Sequence, residues 1–248
     1  MPVCVASRWR TCPGAATTFS IAPATSDPLA IYQVLLRQRG KGEYYLPPAL
    51  QPEVILDIGS NIGASILFFH EQFSSCSDLR IRTEPRDVSS PAKNVGSLPS
   101  VEVFNYGLGA ADATIPFPFD GADFSRFMSK DEAAEWSGPL SPTSCQIKDA
   151  GDVVRNLGLT RVDPIKIDCE AAEYDVLNSL PPDLLFQCKW IVGEMHDETA
   201  FPLLALLAPH FDLDLKKRMF APFFRFHACK LASVQQLKGS FDRNALQG

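Results

Sequence analysis

Val54-Ile55-Leu56-Asp57-Ile58-Gly59-Ser60-Asn61-Ile62-Gly63-Ala64-Ser65 is the stretch that decides the fold. Its first five residues are apolar except for Asp57 and read as a strand buried on both faces, as in a parallel sheet. Two glycines follow, and the apolar-periodic stretch Ile62 to Phe73 reads as a helix. Strand, glycine turn and helix open a βαβ unit, and such a turn lies at the carboxyl edge of the sheet, where doubly wound folds bind nucleotides. Gly59 and Gly63 permit a tight turn and let a ligand approach bare backbone, so a side chain at position 59 is expected to block binding. A dinucleotide fingerprint needs glycine where Asn61 stands, which makes the turn a poor seat for a pyrophosphate.

The remainder of the chain continues the alternation. Arg80–Thr83 and Val101–Tyr106 read as the next strands, with only a short helix between them because Pro85, Pro91 and Pro99 interrupt it. Asp152–Leu157 reads as a helix stopped by Gly158, Pro164–Asp168 as a buried strand, and Ala171–Leu180 as a helix ended by Pro181 and Pro182. Lys189–Glu194 is a further strand, Thr199–Ala208 a helix, and Phe211–Lys216 with Phe223–Lys230 an antiparallel edge pair. The stretch Pro116–Pro139 shows neither period and reads as a long aromatic lid, with Arg126 inside it.

Ahead of this, Met1 to Asp27 reads as a loosely ordered arm, and Ser26-Asp27-Pro28 caps a helix over Leu29–Leu36 that ends by Gly40 and packs outside the main domain. The expected division is residues 1–45 as arm and cap and residues 46–248 as the main domain. An apolar face on that helix is compatible with a homodimer.

Composition narrows the function. With 46% hydrophobic and 21% charged residues the chain has globular composition, and 23 Lys plus Arg against 29 Asp plus Glu leave −6, no footprint for nucleic acid. No apolar run approaches the roughly 18 residues of a membrane span. The start lacks a secretory h-region, so the cytoplasm is the expected compartment. Seven cysteines are scattered singly, which reads as reduced structural thiols.

The Asp-x-Gly-x-Asn-x-Gly turn of residues 57–63 resembles the first motif of class I S-adenosylmethionine-dependent methyltransferases, whose ligand carries an amino-acid carboxylate and ammonium. Asp57 and Asn61 suit that zwitterion, and Glu84, roughly 20 residues beyond the turn, suits the ribose hydroxyls. Ile165-Lys166-Ile167-Asp168-Cys169-Glu170-Ala171-Ala172-Glu173 resembles the Lys-x-Asp-x-Glu-Gly-x-Glu signature of FkbM-type methyltransferases. With Glu84-Pro85, Gly107-Leu108-Gly109 and Ile191-Val192-Gly193-Glu194-Met195-His196, the resemblance extends from about Glu43 to Lys230.

The resemblance implies an α/β, Rossmann-like class I methyltransferase fold: a seven-stranded, mostly parallel sheet with an antiparallel edge pair and helices on both faces. It also implies S-adenosylmethionine as cofactor and O-methylation of a hydroxyl on a small molecule such as a sugar, polyketide or other secondary metabolite. Two departures are Ala171 in place of the usual glycine and the irregular Arg86–Pro91 segment after Glu84.

Parallel strands deliver their carboxyl ends to one edge, so Asp168 and Glu170 should converge there with Glu194, His196 and Asp197. Asp57, Gly59, Ser60, Asn61, Gly63 and Glu84 are then the cofactor set, and Asp168, Glu170, Glu194 and His196 the catalytic set. Asp168 is expected to orient substrate or cofactor, and His196, titrating near neutrality, to be the general base. Glu173 and Asp175 read as solvated helix residues, and His70, His210 and His227 as structural. Carboxylates with one imidazole suit magnesium or manganese, but no spacing demands a metal and none is expected. Two alternatives remain: a nicotinamide-dependent oxidoreductase, disfavoured by Asn61 and the lack of a Tyr-x-x-x-Lys pair, and a catalytically inactive methyltransferase-fold binding protein, suggested by Ala171.

Overall fold

The computed structural model describes residues 2–6, 16–20, 27–36, 44–47, 49–73, 80–84, 94–95, 98, 100–118, 140–196, 200–217 and 223–233. The chain begins with β1 (Pro2–Ala6), β2 (Ala16–Ser20) and α1 (Asp27–Ile31), which runs on as a π-helical turn over Tyr32–Leu36. Next come β3 (Val54–Ile58), α2 (Ala64–Gln72), β4 (Arg80–Glu84), β5 (Val101–Val103), β6 (Gly107–Gly109), β7 (Ala113–Pro118) and β8 (Leu140–Asp149). The last part supplies α3 (Ala150–Asn156), β9 (Ile165–Ile167), α4 (Glu173–Ser179), α5 (Pro182–Gln187), β10 (Trp190–His196), α6 (Ala200–Leu207), β11 (Phe211–Lys217) and β12 (Phe223–Lys230).

The main sheet has the order β11-β12-β10-β9-β3-β4-β5. Strands β10, β9, β3, β4 and β5 are mutually parallel, and β12 lies antiparallel between β10 and β11. Alternate residues of a strand face opposite sides, and the sheet uses both. Leu56, Ile58, Ile165, Ile167, Ile191 and Met195 join one buried cluster with residues of α3, α4, α5 and α6. Ile55, Trp190 and Val192 join a second with residues of α1 and α2. Helices therefore cover both faces, which is why the central strands read as continuous apolar runs.

Three expectations are corrected here. The opening arm contains strands: Val3-Cys4-Val5 pairs antiparallel with Thr17-Thr18-Phe19, β-branched and aromatic residues that favour a pleated pair. The α1 segment does not pack outside the domain, because Ile31, Val34 and Leu35 are buried in the same cluster as Leu46 and Phe69. Pro116–Pro118 is the end of β7, which joins β6 and β8 in a second sheet of order β6-β8-β7. Prolines hid it, since they interrupt strand pairing, and the register slips between Pro116 and Pro118.

The rest of the expected lid, Arg126 included, lies outside the described residues, as do Arg86–Pro91, Asp197, Ser26 and Gly40. Strand β5 stops at Val103, short of the expected Tyr106. Among the described residues Cys145, Cys169, Cys188 and Cys229 carry free thiols, and no helix is long and apolar enough to cross a membrane.

Gly193 sets the approach of β10 to β9. A Cβ there would lie 1.8 Å from the Ile167 carbonyl oxygen, which is backbone in the neighbouring strand and has no room to retreat. Gly193→Ala is expected to cost more than about 3 kcal/mol of unfolding free energy, read by chemical denaturation. A loss below about 1 kcal/mol would show that the two strands part easily.

Candidate active site

The glycine turn is built from left-handed backbone: φ is 79° at Gly59, 50° at Asn61 and 90° at Gly63. Glycine adopts this region freely and asparagine tolerates it, so the pattern of residues 59–63 is a conformational requirement. At Gly59 a second demand applies. A Cβ would meet the Asp168 carbonyl oxygen at 1.8 Å. What closes on Gly59 is thus the end of β9, and a side chain there would break the turn before it reached any ligand.

Beneath the turn lies a fully buried polar core. Asp57 is 0% exposed; Ser65 Oγ donates to its Oδ2 at 2.6 Å, and Lys166 Nζ lies 3.3 Å from its Oδ1. Burial pushes the Asp57 carboxyl above its ordinary value, against the pull of Lys166 and Ser65. Lys166, 1% exposed, also donates to the carbonyls of Ile58 at 3.2 Å and Gly59 at 2.5 Å, and its ammonium stands 5.0 Å from the centroid of the Tyr44 ring. Asp57 therefore braces the turn through Ser65 and Lys166, while its Oδ1 accepts no hydrogen bond among the described residues. Ser60 is also buried, and its Oγ has no hydrogen-bond partner among the described residues, whereas Asn61 is exposed. Glu84 ends β4 opposite Ile58, so its backbone reaches the same sheet edge.

At the ends of β9 and β10, Asp168, Glu170, Glu194 and His196 do converge. Tyr44 donates its hydroxyl to Asp168 Oδ2 at 2.7 Å. His196 Nε2 lies 3.6 Å from Glu194 Oε2 and 3.8 Å from Glu170 Oε2, while Arg225 Nε donates to Glu194 Oε1 at 3.3 Å. The centre of the group is Glu173, which the sequence reading left in solvent. It is 0% exposed, and its Oε1 accepts from the backbone N–H groups of Cys169 at 3.0 Å and Ala171 at 3.3 Å and lies 2.9 Å from His196 Nδ1.

Glu173 is buried because the helix starts two residues later than expected. Glu170 and Ala171 both take left-handed backbone, φ 57° and 80°, and the turn they make swings the first helical residue inward. Asp175 stays exposed, as read from sequence.

Burial opposes a charge on His196, but hydrogen bonds to Glu173 and Glu194 and the charges of Glu173 and Asp168 outweigh it and raise its pKa to about 10. At neutral pH His196 is therefore a fixed cation, which corrects its expected part as the resting general base. Asp168, Glu173 and His196 bring one ligand atom each within 4.8 Å of one another. Glu173 Oε1 is already shared by two N–H donors and the imidazolium, while its Oε2 is buried with no hydrogen-bond partner among the described residues.

The other histidines sit in structural settings: His210 stacks on Phe186 at 3.9 Å, His70 meets Ser100, and His227 is held near pKa 4 by burial beside Trp190. Sequence reasoning missed Tyr44, Lys166 and Glu173 as members of the site. The Lys166 signal was available, as an opposite charge facing Asp57 across two strands that are otherwise apolar.

The family model of the methyltransferase FkbM domain matches residues 57–212. The chain is similar to the AMB antimetabolite synthetase AmbE of Pseudomonas aeruginosa, 28% identical over 195 residues that make up 62% of this chain and 9% of that protein, so it spans a small part of that relative's length. Among solved structures it is similar to precorrin-6y C5,15-methyltransferase from Geobacter metallireducens GS-15, at 12% identity and TM-score 0.41, over 86% of this chain and 94% of that one. It is likewise similar to the O-methyltransferase from Bacillus cereus in complex with SAH, at 13% identity and TM-score 0.43, over 86% and 83%.

Two outcomes test this geometry. Ala171 carries a Cβ in left-handed backbone, so Ala171→Gly is expected to raise stability by about 1 kcal/mol in denaturant titration, and a loss would show that the turn is unstrained. The pKa of His196 is raised in the fold from 6.5 to about 10, so its contribution is full below pH 6.5 and is lost as pH rises toward 10. Wild type should therefore lose stability over that range, and His196→Gln should stay nearly flat; parallel curves would show that the imidazole is not held charged.

Proposed function

The chain belongs to the FkbM methyltransferase domain family, and from that premise we propose that it transfers a methyl group from S-adenosylmethionine to a hydroxyl of a small molecule such as a sugar, polyketide or other secondary metabolite. One observation carries the reading: the left-handed turn of Gly59, Asn61 and Gly63 lies against Asp168, and the buried Ser60 hydroxyl beside it has no partner among the described residues. A buried hydroxyl without a partner is uncommon in folded proteins, and a polar ligand seated on the turn gives it one. Asn61 favours a ligand with an amino-acid end over one with a pyrophosphate.

The cofactor would be held by Ser60, Asn61 and the backbone of Gly59 and Gly63, with Glu84 at the neighbouring strand end. When bound, it supplies a methyl group on a positively charged sulfonium. The chain's own contribution is placement and charge. Asp168 stands at the turn and orients the reacting groups, a service that accounts for much of the rate in an in-line displacement. Glu170, the more open of the two acids beside Nε2 of His196, takes the hydroxyl proton of the acceptor. Held charged by Glu173, His196 stabilises the negative charge that develops on the acceptor oxygen, as a preorganised cation in a largely dry site. Arg225 holds Oε1 of Glu194, whose Oε2 faces the same imidazolium and helps to keep it charged.

Calorimetric titration of the purified chain with S-adenosylhomocysteine, with NADH as a control, tests the cofactor. One saturable site with Kd on the order of micromolar is expected for the first and no heat for the second. Binding of NADH instead, or of neither by folded protein, would sink the proposal.

A further inference from the structure

Tyr44 lies ahead of β3, in segment 44–47, which α2 grips through the hydrogen bond from Gln72 Nε2 to the Leu46 carbonyl at 3.1 Å. It is 5% exposed. A tyrosine needed only to fill apolar space would be served as well by phenylalanine, because a buried hydroxyl requires a partner. The partner here is Oδ2 of Asp168, at 2.7 Å. The ring of the same residue lies under the ammonium of Lys166, the group that holds the Ile58 and Gly59 carbonyls. Tyr44 thus touches both supports of the glycine turn, the lysine below it and the acid beside it, whose own carbonyl abuts Gly59.

We infer that Tyr44 is a positioning residue: its hydroxyl fixes the Asp168 carboxylate beside the glycine turn, so that the site prefers a ligand with a positively charged sulfonium to the same ligand with a neutral thioether. The inference rests on the cofactor proposed above. A carboxylate held by a charge-assisted hydrogen bond keeps one orientation, and loss of that bond lets it take others. A sulfonium gains from the fixed charge, and a thioether is indifferent to it.

The probes are S-adenosylmethionine and S-adenosylhomocysteine, titrated calorimetrically into wild type, Tyr44→Phe, Asp168→Asn and the double variant. Tyr44→Phe keeps the ring and its contact with Lys166 and removes only the hydroxyl. It is expected to weaken S-adenosylmethionine about tenfold and S-adenosylhomocysteine by less than about threefold, the loss usual for a hydrogen bond to a charged group. Asp168→Asn should show the same selective loss, with Tyr44→Phe adding little on top of it. Equal weakening of both ligands, or of neither, overturns the inference and leaves Tyr44 a packing residue. If folded wild type binds neither ligand, the proposed function fails and this inference falls with it, an outcome distinct from wild-type binding of both with an unchanged ratio in Tyr44→Phe.

Discussion

Lys166 places an ammonium in the middle of a sheet that is otherwise apolar, and the candidate site depends on how that charge is satisfied. Removing it from water costs several kcal/mol, which Asp57, two backbone carbonyls and the face of Tyr44 together offset. Asp57 and Lys166 stand opposite each other on β3 and β9, so the pair fixes the register of the two strands whose ends form the site. Ser65 ties the first turn of α2 to the same carboxylate. With the lysine gone, Asp57 is a buried acid with no compensating charge, and the carbonyls of the turn lose their donor. The pair is worth less as net stability than as a device that admits one arrangement of strand, turn and helix.

Much of the fold was legible because burial on both faces leaves a mark. Strands β3, β9 and β10 announce themselves as short apolar runs, and β11 with β12 by alternation. What escaped was the structure held by few apolar residues. The β1–β2 pair is short and set among prolines and small polar residues, and β7 and β8 carry Pro116, Pro118 and Pro142, which argue locally against strands that the pairing nevertheless forms.

The site divides in the same way. Asp168, Glu170, Glu194 and His196 could be named because topology sends the ends of parallel strands to one edge, whatever the local sequence. Glu173 could not be read as buried, since a glutamate at the start of an amphipathic helix ordinarily faces water. Its burial follows from two successive left-handed residues, one of them an alanine, which no propensity scale favours there. The charge on His196 was beyond reach for the same reason, because Glu173 supplies much of it. Tyr44 gave no local sign at all: its partners lie more than a hundred residues away, at Lys166 and Asp168.

The reversed strand β12 brings a consequence for how copies of this chain meet in a crowded solution. Among the described residues it leaves β11 as the last strand of the sheet, and Asp212, Asp214, Lys216 and Lys217 are set along that strand. A foreign strand that docked there would have to strip water from charges of both signs before it made a backbone hydrogen bond. The opposite border, β5, is only three residues long and offers too short a ladder to hold one. The sheet is therefore a poor seed for fibrous growth at either end, a safeguard for a layer whose central strands, Ile-Val-rich and dry, would template it readily if they were laid bare.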